Sequence, residues 1–221
     1  MTGLGALRAG AGLVTVASSS AAIPQIAGHA PELMTTALDG TTLDELAEGK
    51  TVLAIGPGLG QTPEVEALVK HAVQTFSQPM VLDADALQSM PRGSGAVRVL
   101  TPHPGDMSRL TGKPTAEIQK DRVGAARSFA TERGVTLVLK GQRTVIAFPD
   151  GRVWINPTGS PAMGTGGSGD ILTGLIAGML AQFPKDPDHA VAAAVYLHGL
   201  AGQIGARALG EKCLIATDIL K

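Results

Sequence analysis

Between Asn156 and Asp170 the chain places five glycines in fifteen residues and then enters an apolar stretch, Ile171-Leu172-Thr173-Gly174-Leu175-Ile176. Successive glycines let several backbone N–H groups turn toward one point. A helix N-terminus directly behind them adds unpaired N–H groups and the positive end of a helix dipole, so the segment reads as an anion cradle. Gly174 and Gly178 would let that helix sit close to its neighbours. The plainer reading is a long connection with a tight helix entry. Asp170 closes the loop. A carboxylate in a first turn is common for dipole reasons, but beside a phosphate cradle it can accept a hydroxyl proton during attack on a terminal phosphate.

Residues 164–169 also fit G-x-G-x-x-G, the dinucleotide fingerprint. That motif should follow a strand at once and return to a second parallel strand. Here the preceding strand candidate ends near Ile155 and a second helix follows, so a Rossmann site is not expected. No G-x-x-x-x-G-K-[ST] occurs.

Along the rest of the chain, short apolar runs alternate with helical patterns. Residues 13–17, 51–55, 80–82, 96–100 and 136–139 read as strands, and their lack of in/out alternation suits burial on both faces. Helical patterns fall at about 63–76, 84–90, 104–111, 115–133, 169–183 and 187–209. In the fourth, Thr115 is the N-cap candidate after Pro114 and Gly134 the stop. Residues 144–148 and 152–155 flank Pro149-Asp150-Gly151, a hairpin signal. The expected fold is one α/β domain over residues 1–221, with a mainly parallel central sheet and helices on both faces. Residues 2–10 read as the second half of a helix with no strand before it.

Composition excludes several classes. The chain has 221 residues, 44% of them hydrophobic, and a formal net charge of −1, which argues against a generally basic nucleic-acid surface. The single cysteine, Cys213, rules out an internal disulfide or a multi-cysteine zinc site and is expected to pack as a small apolar group. No apolar run reaches the length of a membrane span, and the first residues lack a signal-peptide layout. A soluble cytoplasmic protein is expected.

In an open parallel sheet, ligands bind beyond the carboxyl ends of the strands. Five such ends are polar or glycine-rich here: residues 56–60 (Gly-Pro-Gly-Leu-Gly), Asp83-Ala84-Asp85, residues 101–106 (Thr-Pro-His-Pro-Gly-Asp), Lys140-Gly141, and the long glycine loop. Singly, each has a plain alternative. His103 between two prolines also serves as a turn residue, Asp83 and Asp85 as helix caps, and Lys140 as a solvated cation.

Together, these five segments in this order resemble the ADP/ATP-dependent NAD(P)H-hydrate dehydratases, carbohydrate-kinase-like proteins of ribokinase-like fold. The similarity runs from about Arg8 to the end of the chain, including Leu214-Ile215-Ala216-Thr217-Asp218-Ile219-Leu220. The resemblance implies repair of NADH or NADPH hydrated at C6 of the nicotinamide ring (NADHX, NADPHX). The hydroxyl is phosphorylated from ADP or ATP, with magnesium on the phosphates, and phosphate is then eliminated. Asp170 matches the catalytic, hydrate-contacting aspartate. Gly60, Thr101, His103, Gly105 and Asp106 match the hydrate-binding positions. Lys140, Gly141, Gln142, Arg143 and Thr144 match one nucleotide segment, and Gly164, Thr165, Gly166, Gly167, Ser168 and Gly169 the phosphate loop. No metal ligand is assigned, and Asp83 and Asp85 receive no role. A homo-oligomer is expected, a tetramer in the family.

The departure from the family lies at the front. A preceding strand, a glycine-containing loop that helps hold the hydrate, and half a helix are expected before Met1, so the chain reads as N-terminally truncated. Two other functions remain open: a kinase of a vitamin-precursor alcohol, and a nucleotide-binding but inactive chain.

Overall fold

The computed structural model describes residues 1–38, 42–89 and 95–221. It opens with α1 (Thr2–Arg8), then β1 (Thr15–Ser18), α2 (Ile23–His29), β2 (Met34–Ala37) and α3 (Leu43–Ala47). Next come β3 (Leu53–Ile55), α4 (Pro63–Thr75), β4 (Met80–Leu82), a 3-10 turn at Ala84–Ser89, β5 (Arg98–Leu100) and α5 (Pro104–Thr111). The second half carries α6 (Thr115–Lys120), α7 (Arg122–Arg133), β6 (Thr136–Leu139), β7 (Val145–Ala147), β8 (Val153–Ile155), α8 (Ser168–Gln182) and α9 (Pro187–Leu209).

Six strands form one sheet in the order β3-β4-β5-β6-β7-β8. The first four run parallel, and β7 and β8 are added antiparallel through the anticipated hairpin. Side chains from successive residues enter opposite layers. Met80, Leu82, Leu100, Leu137 and Leu139 pack in one core beneath α4, α5 and α7. Val81, Val99, Val138 and Ile146 pack in another with Leu172 and Ile176 of α8 and Val191 and Ala194 of α9. Both layers are apolar, so the strands read as continuous hydrophobic runs.

Five expectations are corrected. The strand expected at 13–17 does not join the main sheet: β1 pairs only with β2, in a separate parallel pair. The helix expected at 84–90 is a 3-10 turn as far as Ser89, and Met90 lies outside the described residues. The helix expected at 115–133 is two helices. Asp121 adopts φ −142° and ψ 74°, and its Oδ1 accepts the Gly124 N–H at 2.8 Å, so its side chain starts a new helix instead of continuing the old one. Thr115 is the first residue of α6 and makes no capping bond; Pro114 holds the cap position. Gly134 ends α7 in the left-handed conformation, as expected. Cys213 is exposed, because it lies in the turn after α9, outside any core. Among the described residues, no helix is long and apolar enough to cross a membrane.

The start of α8 is fixed from behind by α1. A Cβ built on Gly174 would lie 2.0 Å from the Thr2 carbonyl oxygen and 2.9 Å from the Ala6 nitrogen. Alanine is the better helix former by about 0.5–1 kcal/mol, yet here its methyl meets backbone that has no rotamer to yield. Gly174→Ala should therefore destabilise the fold by about 1–3 kcal/mol, the usual range for overpacking. Denaturant titration checks this, and a stabilised variant would show that α1 can move off α8 freely.

Candidate active site

Parallel pairing of β3 to β6 brings their carboxyl ends to one rim, and α8 begins at that rim. At the end of β4, Asp83 is 1% exposed. Its Oδ1 accepts from Lys140 Nζ at 2.8 Å, and its Oδ2 accepts from Thr173 Oγ1 at 2.8 Å. The plain alternatives for both residues fall away: Asp83 is no helix cap, and the Lys140 side chain is only 21% exposed. Lys140 stands at the end of β6, fifty-seven residues away. The pair ties two strand ends to the second turn of α8.

Gly167 supplies the turn into the helix, in the left-handed conformation with φ +90°. Within the glycine loop, Gly159 is the other residue with positive φ. Gly164, Gly166 and Gly169 keep ordinary backbone angles, so at Gly169 the reason for glycine is proximity. A Cβ there would lie 3.2 Å from Lys140 Nζ and 3.8 Å from Asp83 Oδ2.

Asp170 follows in the first turn of α8. Burial pushes its carboxyl above the usual carboxylate range, and the charge of Asp83 adds to that; the Met1 amine and Lys140 pull the other way. Among the described residues, no hydrogen bond or ion pair engages this carboxylate. It is a free, partly desolvated base beside an ammonium and a helix N-terminus.

The loops on either side enclose a cleft of about 860 Å³. Of the residues expected from sequence, it is lined by His103, by residues 140–144 and by Gly164, Thr165, Ser168 and Gly169. Gly166, Gly167 and Asp170 are not among its lining residues. Leu172, Val195 and Gly199 give one side an apolar surface that suits a base or ring.

The hydrate-binding candidates divide into two sets. His103 is open to the cleft, and its Nδ1 accepts the Asp106 N–H at 3.0 Å at the start of α5. Asp106 is 5% exposed, and its carboxylate accepts from the His103 N–H at 3.0 Å and pairs with Arg109. Thr101 is fully buried, its hydroxyl directed at the Leu82 carbonyl. Asp106 supports His103 from behind the surface, while Thr101 is tied to the end of β4. Gly105 packs under the His103 ring, where a Cβ would lie 2.8 Å from Cε1. Gly60 is held by Asp85, whose Oδ2 accepts its N–H at 2.9 Å while Oδ1 accepts from Gln61 Nε2 at 3.1 Å. Asp85, a cap candidate, therefore organises the glycine loop after β3.

His198 was not anticipated. It lies on α9, is 9% exposed, and its Nε2 is 2.9 Å from the Ser168 carbonyl oxygen. Burial lowers its pKa to about 4; the bond to Ser168 opposes this and Lys140 reinforces it. The ring is neutral near pH 7, with Nε2 as the donor. The one available signal was a polar residue among Val195, Leu197 and Leu200.

Arg122 braces the nucleotide segment. Its guanidinium donates to the carbonyls of Leu139 at 3.0 Å, Lys140 at 3.2 Å and Gln142. Among the described residues, no group of three His, Cys, Asp or Glu side chains could cage a metal ion. Both oxygens of Asp83 are occupied as well. A magnesium ion would reach this cleft on the phosphates of a nucleotide, the usual way that ion is carried.

Residues 1–221 match a family profile described as NAD(P)H-hydrate dehydratase. The chain belongs to that family. It is 44% identical to the ADP-dependent (S)-NAD(P)H-hydrate dehydratase of Bacillus subtilis, over 99% of this chain and 80% of that protein. A bifunctional NAD(P)H-hydrate repair enzyme of Moorella thermoacetica is 46% identical over 97% of this chain, which spans 44% of that relative's length. A crystal structure of the B. subtilis dehydratase, co-crystallised with ATP and Mg²⁺, superposes with a TM-score of 0.90 at 41% identity, covering 99% of this chain and 79% of that one. Ribokinase from Cryptococcus neoformans shares the fold alone, with a TM-score of 0.64 at 16% identity over 99% of this chain and 83% of that one. The expected ribokinase-like architecture is therefore the one this family member adopts.

A change that blocks the turn into α8 tests the cradle. Gly167→Val places a β-branched residue at positive φ, where L-residues other than glycine are strained. Its Cβ would also lie 2.5 Å from the Met1 sulfur. ADP affinity should fall at least about tenfold, the equivalent of ~1.4 kcal/mol, with little change in hydrate affinity. Calorimetric titration of each ligand separately decides; equal losses would point to general unfolding instead.

Proposed function

We propose that this chain dehydrates the S-epimer of NADHX and NADPHX at the expense of ADP. NAD(P)H, AMP and inorganic phosphate are the products. The observation that carries this reading is the unengaged Asp170 carboxylate at the mouth of α8, beside Lys140 and the nucleotide-sized cleft.

The chemistry follows from leaving-group ability, since hydroxide leaves poorly and phosphate well. Mg·ADP lies with its phosphates toward residues 164–169 and Lys140. Asp170 takes the proton of the C6 hydroxyl as its oxygen attacks the terminal phosphorus, and the bond to AMP breaks. The C6–O bond then breaks, phosphate departs, and the neighbouring ring carbon gives its proton to that phosphate as the double bond forms. His103 and Gly60 hold the hydrate, and residues 140–144 hold the nucleotide. The B. subtilis member is named ADP-dependent, and its crystal structure, described as ADP/ATP-dependent, was grown with ATP and Mg²⁺; this supports an adenine nucleotide as phosphoryl donor and supports magnesium. We infer that residues 1–221 act as one domain, in the cytoplasm, within a homo-oligomer.

Product analysis tests the proposal. With NADPHX, ADP and Mg²⁺, the reduced-nicotinamide absorbance should return in step with AMP and phosphate. Accumulation of a stable phosphate ester would identify a kinase, and nucleotide binding without turnover an inactive chain.

A further inference from the structure

Asp83 is the most buried carboxylate at the rim, and none of the roles above uses it. Its surroundings are fixed on three sides: the Lys140 ammonium on Oδ1, the Thr173 hydroxyl on Oδ2, and its own N–H donating to the Ile55 carbonyl at 3.1 Å. Thr173 Oγ1 is also 3.2 Å from the Gly169 carbonyl, so the network reaches the turn that carries Asp170. Lys140 Nζ lies directly over Gly169, one residue before that base, yet its ion pair is with Asp83.

We propose that Asp83 is a positioning residue for the phosphoryl-transfer step, holding the Lys140 ammonium over Gly169 and off Asp170 so that the Asp170 carboxylate stays free to take the proton. This rests on the proposed role of Asp170 as proton acceptor. Lys140 is in ion-pair contact with Asp83 and near enough to draw down the proton affinity of Asp170, so it has two possible partners. Paired with Asp170, it would neutralise the base; paired with Asp83, it faces the incoming phosphate and leaves the base open. The charged and titratable groups that face Asp170 are Asp83 beyond β4, Lys140 beyond β6 and the Met1 amine ahead of α1. His198 on α9 is neutral above about pH 4 and adds no charge at working pH. The same arrangement accounts for the raised proton affinity of Asp170, to which Asp83 contributes after burial.

The test follows the ¹³Cγ resonances of Asp170 and Asp83 against pH in the intact protein, with Asp170 assigned by its loss in Asp170→Asn. Asp83→Asn keeps the shape and the Thr173 contact but releases Lys140. Asp170 should then titrate lower by roughly one to three pH units, the effect of a new opposite charge in contact. At saturating ADP, the acid limb of kcat should move the same way, and kcat itself should fall. Removing the cation as well, in Asp83→Asn/Lys140→Met, should bring the Asp170 midpoint back up. An Asp170 midpoint unchanged in Asp83→Asn overturns the proposal. If Asp83→Asn does not fold, Lys140→Met carries the test. There Asp170, without the cation that draws its proton affinity down, should titrate higher, and an unmoved midpoint overturns the proposal. Because the resonances report without turnover, a wild type that fails to dehydrate NADPHX refutes the proposed function, not this coupling.

Discussion

Asp170→Asn should lower turnover by about 10²–10⁴-fold, the range for loss of a positioned proton acceptor, while ADP still binds. Asparagine keeps the size and the place in the first turn of α8 but cannot take a proton. Folding should not suffer. Asp170 has a raised folded-state pKa, so its favourable contribution to stability is present only below the ordinary carboxylate range and is lost as pH rises through the folded value. At neutral pH the ionised side chain opposes burial and the charge of Asp83, and asparagine relieves both. The variant should therefore melt no lower than the wild type at pH 7. The acid limb of the wild-type rate profile should lie above the ordinary aspartate pKa, since only the deprotonated form acts. Near-wild-type turnover in Asp170→Asn would exclude the role.

Arg98→Leu should cost about 3–5 kcal/mol, because one substitution takes the donor from several buried or half-buried carbonyls. Arg98 begins β5, is 1% exposed, and sits at the opposite end of the strands from the site. Its guanidinium donates to the carbonyls of Gln78 at 2.9 Å, Val97 and Val73 at 3.1 Å, and Phe76. Val73 and Phe76 belong to the end of α4, whose last carbonyls have no partner within the helix. Leucine fills the space but takes their donor from the carbonyls of Gln78, Val73 and Phe76, each costing about 1–3 kcal/mol when buried, while Val97 keeps the Met80 N–H. The bonds to Gln78 and Phe76 are only partly buried, so the full sum is not reached. Chemical denaturation gives the number, and a loss under about 1 kcal/mol would show that those carbonyls find other donors. The folded fraction should bind ADP normally.

What was legible in the sequence follows from how locally each feature is encoded. β4 and β6 were read with the observed bounds because Met80-Val81-Leu82 and Thr136-Leu137-Val138-Leu139 are apolar on both faces and end at a charged residue. The entry of α8 was legible because glycines and an acidic first turn mark it within a few residues. By contrast, α2 has no buried residue and β2 reads Met-Thr-Thr-Ala, so neither shows an apolar period. The break at Asp121 was hidden because the helical pattern continues on both sides of it. In the site, the rim residues were found one at a time, but not their partnerships. Asp83 meets Lys140 across fifty-seven positions and Thr173 across ninety, contacts made by the sheet and by α8 together. Thr101 and Asp106 follow β5 as expected, yet the burial of Asp106 behind His103 depends on how α5 starts.

In the proposed reaction a phosphate from the nucleotide passes to the hydrate hydroxyl before that oxygen leaves the ring. Isotopic labelling reads this directly. NADPHX carrying ¹⁸O in its C6 hydroxyl is converted with unlabelled ADP and Mg²⁺, and the inorganic phosphate is analysed by mass. If the hydroxyl attacks phosphorus at the mouth of α8, each phosphate released carries one ¹⁸O. Label recovered in water, with unlabelled phosphate, would contradict the account.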